Sequence, residues 1–145
     1  MGWLDKLVGK GEMIKGLDHV AIVVSDMDRS IDFYTNVLGL TLLLDGRASG
    51  GEKKSFLGTS SRAIVALSED KYRLSDKGQY VEGVNHVAFA VADAQKSSEV
   101  LKDKGVEFVE IKMGDDGNPK AYHFLDPDGL ELEIYTETEK EVPQY

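Results

Sequence analysis

Three histidines and one glutamate carry most of the chemistry this sequence can offer. His19 sits in GLDHVAIVVSD (16–26) and His86 in GVNHVAFAVAD (83–93), two versions of one segment placed 67 residues apart. Glu133 lies in the late apolar stretch LELEIY (130–135), and His123 in KAYHFL (120–125) just before it. Two histidines and one carboxylate with open positions form the facial-triad pattern suited to Fe2+, Mn2+ and related ions. A carboxylate in mid-strand is costly to bury unless it is paired or holds a cation. That favours Glu133 as the third ligand over Glu131, which adjoins a turn and is expected in solvent. His123 is placed to contact substrate or move a proton, and Tyr135 to donate a hydrogen bond to a ligand or to Glu133. For each residue a plainer reading stands alongside: a satisfied core histidine, a strand histidine at the surface, an edge glutamate paired with a lysine.

The elements around these residues decide whether they can meet. Side chains alternate across a strand, so His19, Ala21 and Val23 share one face and Val20, Ile22 and Val24 the other. His86, Ala88 and Ala90 likewise oppose Val87, Phe89 and Val91. The β-branched and aromatic faces suit packing under a helix, which turns both histidines toward the opposite side, beside small residues that leave room. Ser25-Asp26 and Asp93 offer helix N-caps. Met27, Ile31, Tyr34 and Leu38 follow at helical spacing, and Gly39 and Gly105 close the two helices. Gly105 falls one residue short of the 67-residue offset. Strands are predicted over 40–44, 55–57 and 63–67 in the first half, and over 106–112, 120–125 and 130–135 in the second. In 106–112, Val106, Phe108 and Glu110 should share a face. Asp126-Pro127-Asp128-Gly129 is a strong turn signal, and the turn should bring His123 back beside Glu133.

Each half therefore reads as strand–helix–strand–strand–strand. One four-stranded sheet with a single helix leaves a face uncovered, so the halves must combine. The expected organisation is an N-terminal extension (1–15), a domain over 16–136 and an acidic tail (137–145). The domain divides into a first module (about 16–69), a linker (70–82) and a second module (about 83–136). Trp3, Leu4, Leu7 and Val8 suggest a short amphipathic helix in the extension. The loop 46–54, GRASGGEKK, reads as a mobile surface segment and a candidate lid.

Composition bounds the partners. The 145 residues carry 17 basic against 26 acidic side chains, a formal charge of −9. Such a surface repels phosphate backbones and anionic lipid, which excludes nucleic acid and membrane as favoured partners. There is no cysteine, which excludes disulfides, thiolate metal sites and an enzyme thiol. No export signal or spanning segment is visible, so the cytoplasm is the expected location.

The paired segments GLDHVAIVVSDMDRSIDFYTNVLG and GVNHVAFAVADAQ, with the closing YHFLDPDGLELEIY, resemble the vicinal oxygen chelate superfamily. This group holds glyoxalases, extradiol dioxygenases, and fosfomycin- and bleomycin-resistance proteins. The resemblance spans about Gly16 to Thr136. It implies an α+β fold of two paired βαβββ modules forming a cup, within one chain or by exchange between subunits of a homodimer. Its ligand places fall on His19, His86 and Glu133, and the fourth on Ala66, which cannot ligate. The resemblance thus implies a divalent ion (Fe2+, Mn2+, Ni2+ or Zn2+) and a small oxygen-rich substrate. The leading expectation is a ring-cleaving dioxygenase. The alternatives are a glyoxalase-like lyase or isomerase, a fosfomycin-type transferase, and a metal-free drug-binding protein of the bleomycin-resistance type. No clear basic cluster for a phosphonate stands out, although Arg47, Lys53, Lys54 and Lys120 are candidates for the mouth.

Overall fold

Apolar alternation builds a strand at the start of each half, and an aspartate then turns the chain into a helix. In the computed structural model, which describes residues 17–48, 53–69 and 86–136, β1 runs Val20–Val24 and β5 runs Val87–Val91. Asp26 and Asp93, both in extended conformation, cap the following helices by accepting from the N–H of Arg29 (3.1 Å) and Lys96 (3.0 Å). These helices are α1, Met27–Asp32, and α2, Ala94–Asp103. A second acceptor repeats at the same offset. Glu69 Oε2 takes the N–H of Met27, and Thr136 Oγ1 that of Ala94, each at 2.9 Å. Two of the orphan donors at each helix start are thereby satisfied.

The missing residue in the repeat has a physical place. After α1 the chain continues as a π-helical stretch, Phe33–Val37, which accommodates one extra residue within a helix. Gly39 and Gly105 then end the two helices with φ of +80° and +90°, a conformation that suits glycine. The first helix was expected to be uninterrupted; it is α and then π.

The remaining strands are β2, Thr41–Leu44; β3, Lys54–Gly58; β4, Ala63–Glu69; β6, Phe108–Met113; β7, Pro119–Leu125; and β8, Glu131–Thr136. They form two four-stranded mixed sheets of identical design, ordered β1-β4-β3-β2 and β5-β8-β7-β6. In each, the first and last strands pair in parallel and the rest antiparallel. This is the α+β arrangement of two βαβββ modules. In β6 the expected common face fails, because the register shifts between Phe108 and Glu110. Phe108 lies opposite Phe124 on the core side, whereas Glu110 lies opposite His123. A bulge at Val109 explains the switch.

One core serves both modules. Ile22, Val24, Tyr34, Val65 and Leu67 from the first join Tyr122, Phe124, Leu132 and Ile134 from the second. Each large side chain so buried contributes about 1.5–3 kcal/mol. The core uses the Val20/Ile22/Val24 face of one sheet and the matching face of the other, so the histidine faces point away from it.

The Asp126–Gly129 turn forms as expected, with the Gly129 N–H donating to the Asp126 carbonyl at 3.0 Å. It also does more than turn the chain. Asp128 accepts from the Ser25 N–H (3.2 Å), the Ser25 hydroxyl and Arg29 Nη2 (2.9 Å). Tyr34 donates its hydroxyl to Asp126 Oδ2 at 3.0 Å. The turn is a clasp that fastens the second module to the helix of the first. Burial pushes the Tyr34 phenol well above its ordinary value, and the neighbouring Asp126 adds to this. Burial likewise raises the Asp126 carboxyl, against opposing hydrogen bonds from the Leu130 N–H, Tyr34 and the Asp128 N–H.

The extension 1–15, the linker 70–82, the tail 137–145 and loop residues 49–52 lie outside the described residues, with the expectations that fall on them. No helix among the described residues is long and apolar enough to cross a membrane.

Candidate metal centre

The outer face of the second sheet gathers the chemistry. Antiparallel pairing sets His123 directly opposite Glu133, and parallel pairing sets Ala88 on the other side of Glu133. His86 lies one residue ahead of β5 rather than inside it, as His19 does ahead of β1. The methyl groups of Ala88 and Ala90 leave the space above β5 open. Glu133 is 1% exposed and His123 3%, so the reading of His123 as a surface histidine is set aside.

Three side chains converge. His86 Nε2 lies 2.8 Å from Glu133 Oε2, and His123 Nε2 lies 3.4 Å from the same oxygen. The two imidazole centroids are 5.2 Å apart. On its other side, His123 Nδ1 faces Glu131 Oε1 at 3.8 Å. Glu131 is half-buried here, not solvated as expected. Despite these approaches, both Glu133 oxygens and both His123 nitrogens are buried without a hydrogen-bond partner. Each such group costs about 1–3 kcal/mol when left unsatisfied. Four of them lie in one spot, and imidazole plus carboxylate donors are of the type that suits a borderline divalent ion. Among the described residues, no group of three or more His, Asp or Glu is disposed to hold a metal ion as it stands. The two imidazoles instead close on one carboxylate oxygen, Glu133 Oε2.

His19 is not brought to this cluster. It sits on the other sheet, with Nδ1 2.8 Å from Asp18 Oδ1 and its ring 6.3 Å from that of Phe56. Ala66, at the fourth ligand place, is buried in β4 between Ala21 and Phe56. Tyr135 lies half-buried on the Glu133 face, paired with Ala90 and Ala121. Of the basic candidates, Arg47 is committed to Asp45 (2.9 Å) and Asp28 (3.1 Å), and Lys53 faces Glu69 at 3.6 Å. Lys54 falls on the His19 face through its pairing with Ser68 and, beyond that, Val23. Lys112, not singled out from the sequence, lies on the cluster's face with Nζ 3.6 Å from Glu110 Oε1. The Val109 bulge that puts it there has no clear sequence signature. Clefts lie elsewhere, among them one of about 360 Å³ bordered by Phe33, Val37, Lys104 and Pro127, and an apolar one of about 300 Å³ bordered by Leu38, Ile64, Phe89 and Ile134. Neither is lined by the cluster.

Comparison with known proteins agrees with this architecture. A metallothiol transferase FosB from Staphylococcus epidermidis is 30% identical over 131 residues, covering 86% of this chain and 85% of its own. The crystal structure of SMU.1112c, 30% identical, superposes with a TM-score of 0.66, covering 84% of this chain and 98% of that one. The fosfomycin resistance protein FosX from Listeria monocytogenes shares the fold at 22% identity, with a TM-score of 0.66 over 88% of this chain and 97% of its own. The profile of the Glyoxalase/Bleomycin resistance protein/Dioxygenase superfamily matches residues 16–134. With its duplicated βαβββ modules and matching sequence over most of its length, the chain belongs to that superfamily.

Proposed function

We propose that this protein is a divalent-metal-dependent transferase of the fosfomycin-resistance type, joining a small thiol to an oxygen-rich substrate. The observation that carries the reading is the buried Glu133 carboxylate, without a hydrogen-bond partner and flanked by the His86 and His123 imidazoles. The FosB relatives, named as metallothiol transferases, favour thiol transfer over the ring-cleaving dioxygenase expected first. The metal would be held by His86 and Glu133 together with His19. When bound it supplies Lewis acidity, drawing electron density from substrate oxygens.

His19 lies on the other sheet, and both histidine faces point away from the shared core. The proposal is therefore a homodimer in which the first module of one copy covers the second module of the other. His19 of the partner subunit then completes the site. Exposed Ala21, Ala88 and Ala90, with Leu44 53% and Leu125 47% exposed, give these faces apolar area for such pairing. Lys54 places positive charge on the His19 face, suited to an anionic substrate, whereas Lys112 on the cluster's face is held by Glu110 at 3.6 Å. Tyr135 offers a hydroxyl to orient a substrate oxygen.

The chain has no cysteine, so the thiol is a second substrate. Its sulfur forms a bond to an electrophilic carbon, a carbon–oxygen bond breaks, and the thiol proton ends on the released oxygen. No net oxidation occurs, and no O2 is consumed. The test incubates metal-free protein with Mn2+, fosfomycin and L-cysteine under nitrogen, following adduct mass and thermal stability. The wild type should form the adduct and gain stability from Mn2+, and His86→Ala and Glu133→Ala should do neither. If Mn2+ stabilises wild type no more than these variants, the metalloenzyme reading is wrong. If Mn2+ stabilises but no adduct forms, while Fe2+ supports O2 uptake with a catechol, the dioxygenase reading replaces it.

A further inference from the structure

We infer that His123 is itself a metal ligand, giving the second module a three-donor set of His86, His123 and Glu133. It stands in for the carboxylate that the first module lacks at Ala66. The inference rests on the metal-dependent reading above and adds a residue to it. Ligands bound to a divalent ion at about 2.0–2.2 Å lie roughly 2.9–3.5 Å from one another. The approaches of His86 Nε2 and His123 Nε2 to Glu133 Oε2, 2.8 and 3.4 Å, are close to that spacing. Neither is an aligned hydrogen bond, since no buried nitrogen of His123 and no oxygen of Glu133 has a hydrogen-bond partner. Strand pairing fixes His123 against Glu133, so the two approach an ion together.

The far side of the ring supports the same assignment. Ligating histidines commonly give their second ring N–H to a carboxylate, which fixes the tautomer and turns the other nitrogen's lone pair to the metal. Glu131 Oε1 is the carboxylate oxygen on that side of His123, 3.8 Å from Nδ1. Glu131 is thus a positioning residue. A proton-shuttling role for His123 fits less well, because a general base must reach substrate and both its nitrogens are buried.

The experiment counts coordinated imidazoles. Metal-free wild type, His19→Ala, His123→Gln, His86→Ala and Glu133→Ala are loaded with Cu2+ for pulsed EPR and titrated calorimetrically with Co2+. His123→Gln should show one coordinated imidazole fewer than wild type. Its Co2+ affinity should fall more than about 100-fold, beyond the 10–100-fold that loss of an outer partner costs. His19→Ala changes an exposed residue and leaves His123 untouched, so it decides the matter even where His123→Gln fails to fold. Two imidazoles in His19→Ala support the inference, and one overturns it. An unchanged count in a folded His123→Gln also overturns it, while loss of binding in His86→Ala and Glu133→Ala leaves the metal-dependent reading intact. If wild type binds Co2+ no better than Glu133→Ala, that reading itself falls.

Discussion

The Tyr34 hydroxyl donates to Asp126 Oδ2 at 3.0 Å, joining the first module's helix to the turn that launches the second module's last strand. Tyr34 is fully buried and Asp126 is 5% exposed. The clasp therefore sits away from solvent, at the turn that leads into β8.

This pairing gives the protein a signed pH dependence. Burial raises the Asp126 carboxyl above its ordinary 3.8 in the folded state, so the folded chain holds that proton more tightly than the unfolded one. The stability this contributes is fully present below about 3.8 and is lost as pH rises through the folded value. Asp126→Asn removes the titration and still offers an oxygen to the Asp128 and Leu130 N–H groups. Denaturant unfolding at a series of pH values should show the Asn variant gaining on wild type from about pH 3.8 upward, then holding a constant difference. A difference that does not change with pH would refute it.

Asp128 should matter more than its arginine partner. Its carboxylate, 3% exposed, takes the backbone and hydroxyl of Ser25 as well as Arg29, whose side chain is half exposed. Hydrogen bonds to a charged group are each worth about 1.5–3 kcal/mol, whereas an exposed ion pair contributes less than about 1 kcal/mol. Asp128→Ala should lower stability by about 2 kcal/mol, roughly 4–8 °C in Tm. Arg29→Ala should cost less than half of that. Equal losses would mean the ion pair carries the clasp.

Much of this was legible in the sequence because the fold writes itself in alternation. The facing of Ala21 and Ala88 away from the core, the aspartate caps, the glycine stops and the antiparallel return of His123 onto Glu133 all follow from strand parity and turn chemistry. What was not legible depended on tertiary contacts. Asp126 and Asp128 are the residue types a turn prefers, so nothing in the motif announced that their carboxylates dock on Ser25, Arg29 and Tyr34. The Val109 bulge shifts Glu110 to the opposite face without a glycine to signal it. The orphaned state of Glu133 is a property of burial, which no spacing rule supplies.

Unsatisfied donors and acceptors predict a trade between stability and binding. Replacing both members of a buried polar pair by apolar groups of similar shape is often neutral or stabilising, by about 1–4 kcal/mol. The double variant His123→Phe/Glu133→Leu should match or exceed the metal-free wild type in thermal stability while losing all stabilisation by Mn2+. A fall of more than about 2 kcal/mol would show that the cluster holds the fold together and is not a site kept at the fold's expense.

Exchange between subunits can be tested by complementation. If His19 serves the partner's cluster, every site in a His19→Ala dimer and in a Glu133→Ala dimer is defective. A mixed dimer of the two has one site with both defects and one with neither, since isologous symmetry places each copy's His19 against the other copy's second module. After the two variants are unfolded together and refolded at equal concentration, half of the dimers are mixed, so about a quarter of wild-type tight Co2+ sites should return. Calorimetry against each variant refolded alone gives the baseline. If His19 instead reached its own chain's cluster, mixing would restore nothing, because no subunit would carry all the ligands of one site. Return of tight sites would place His19 across the interface and explain why it is exposed, and apart from Glu133, in the single chain.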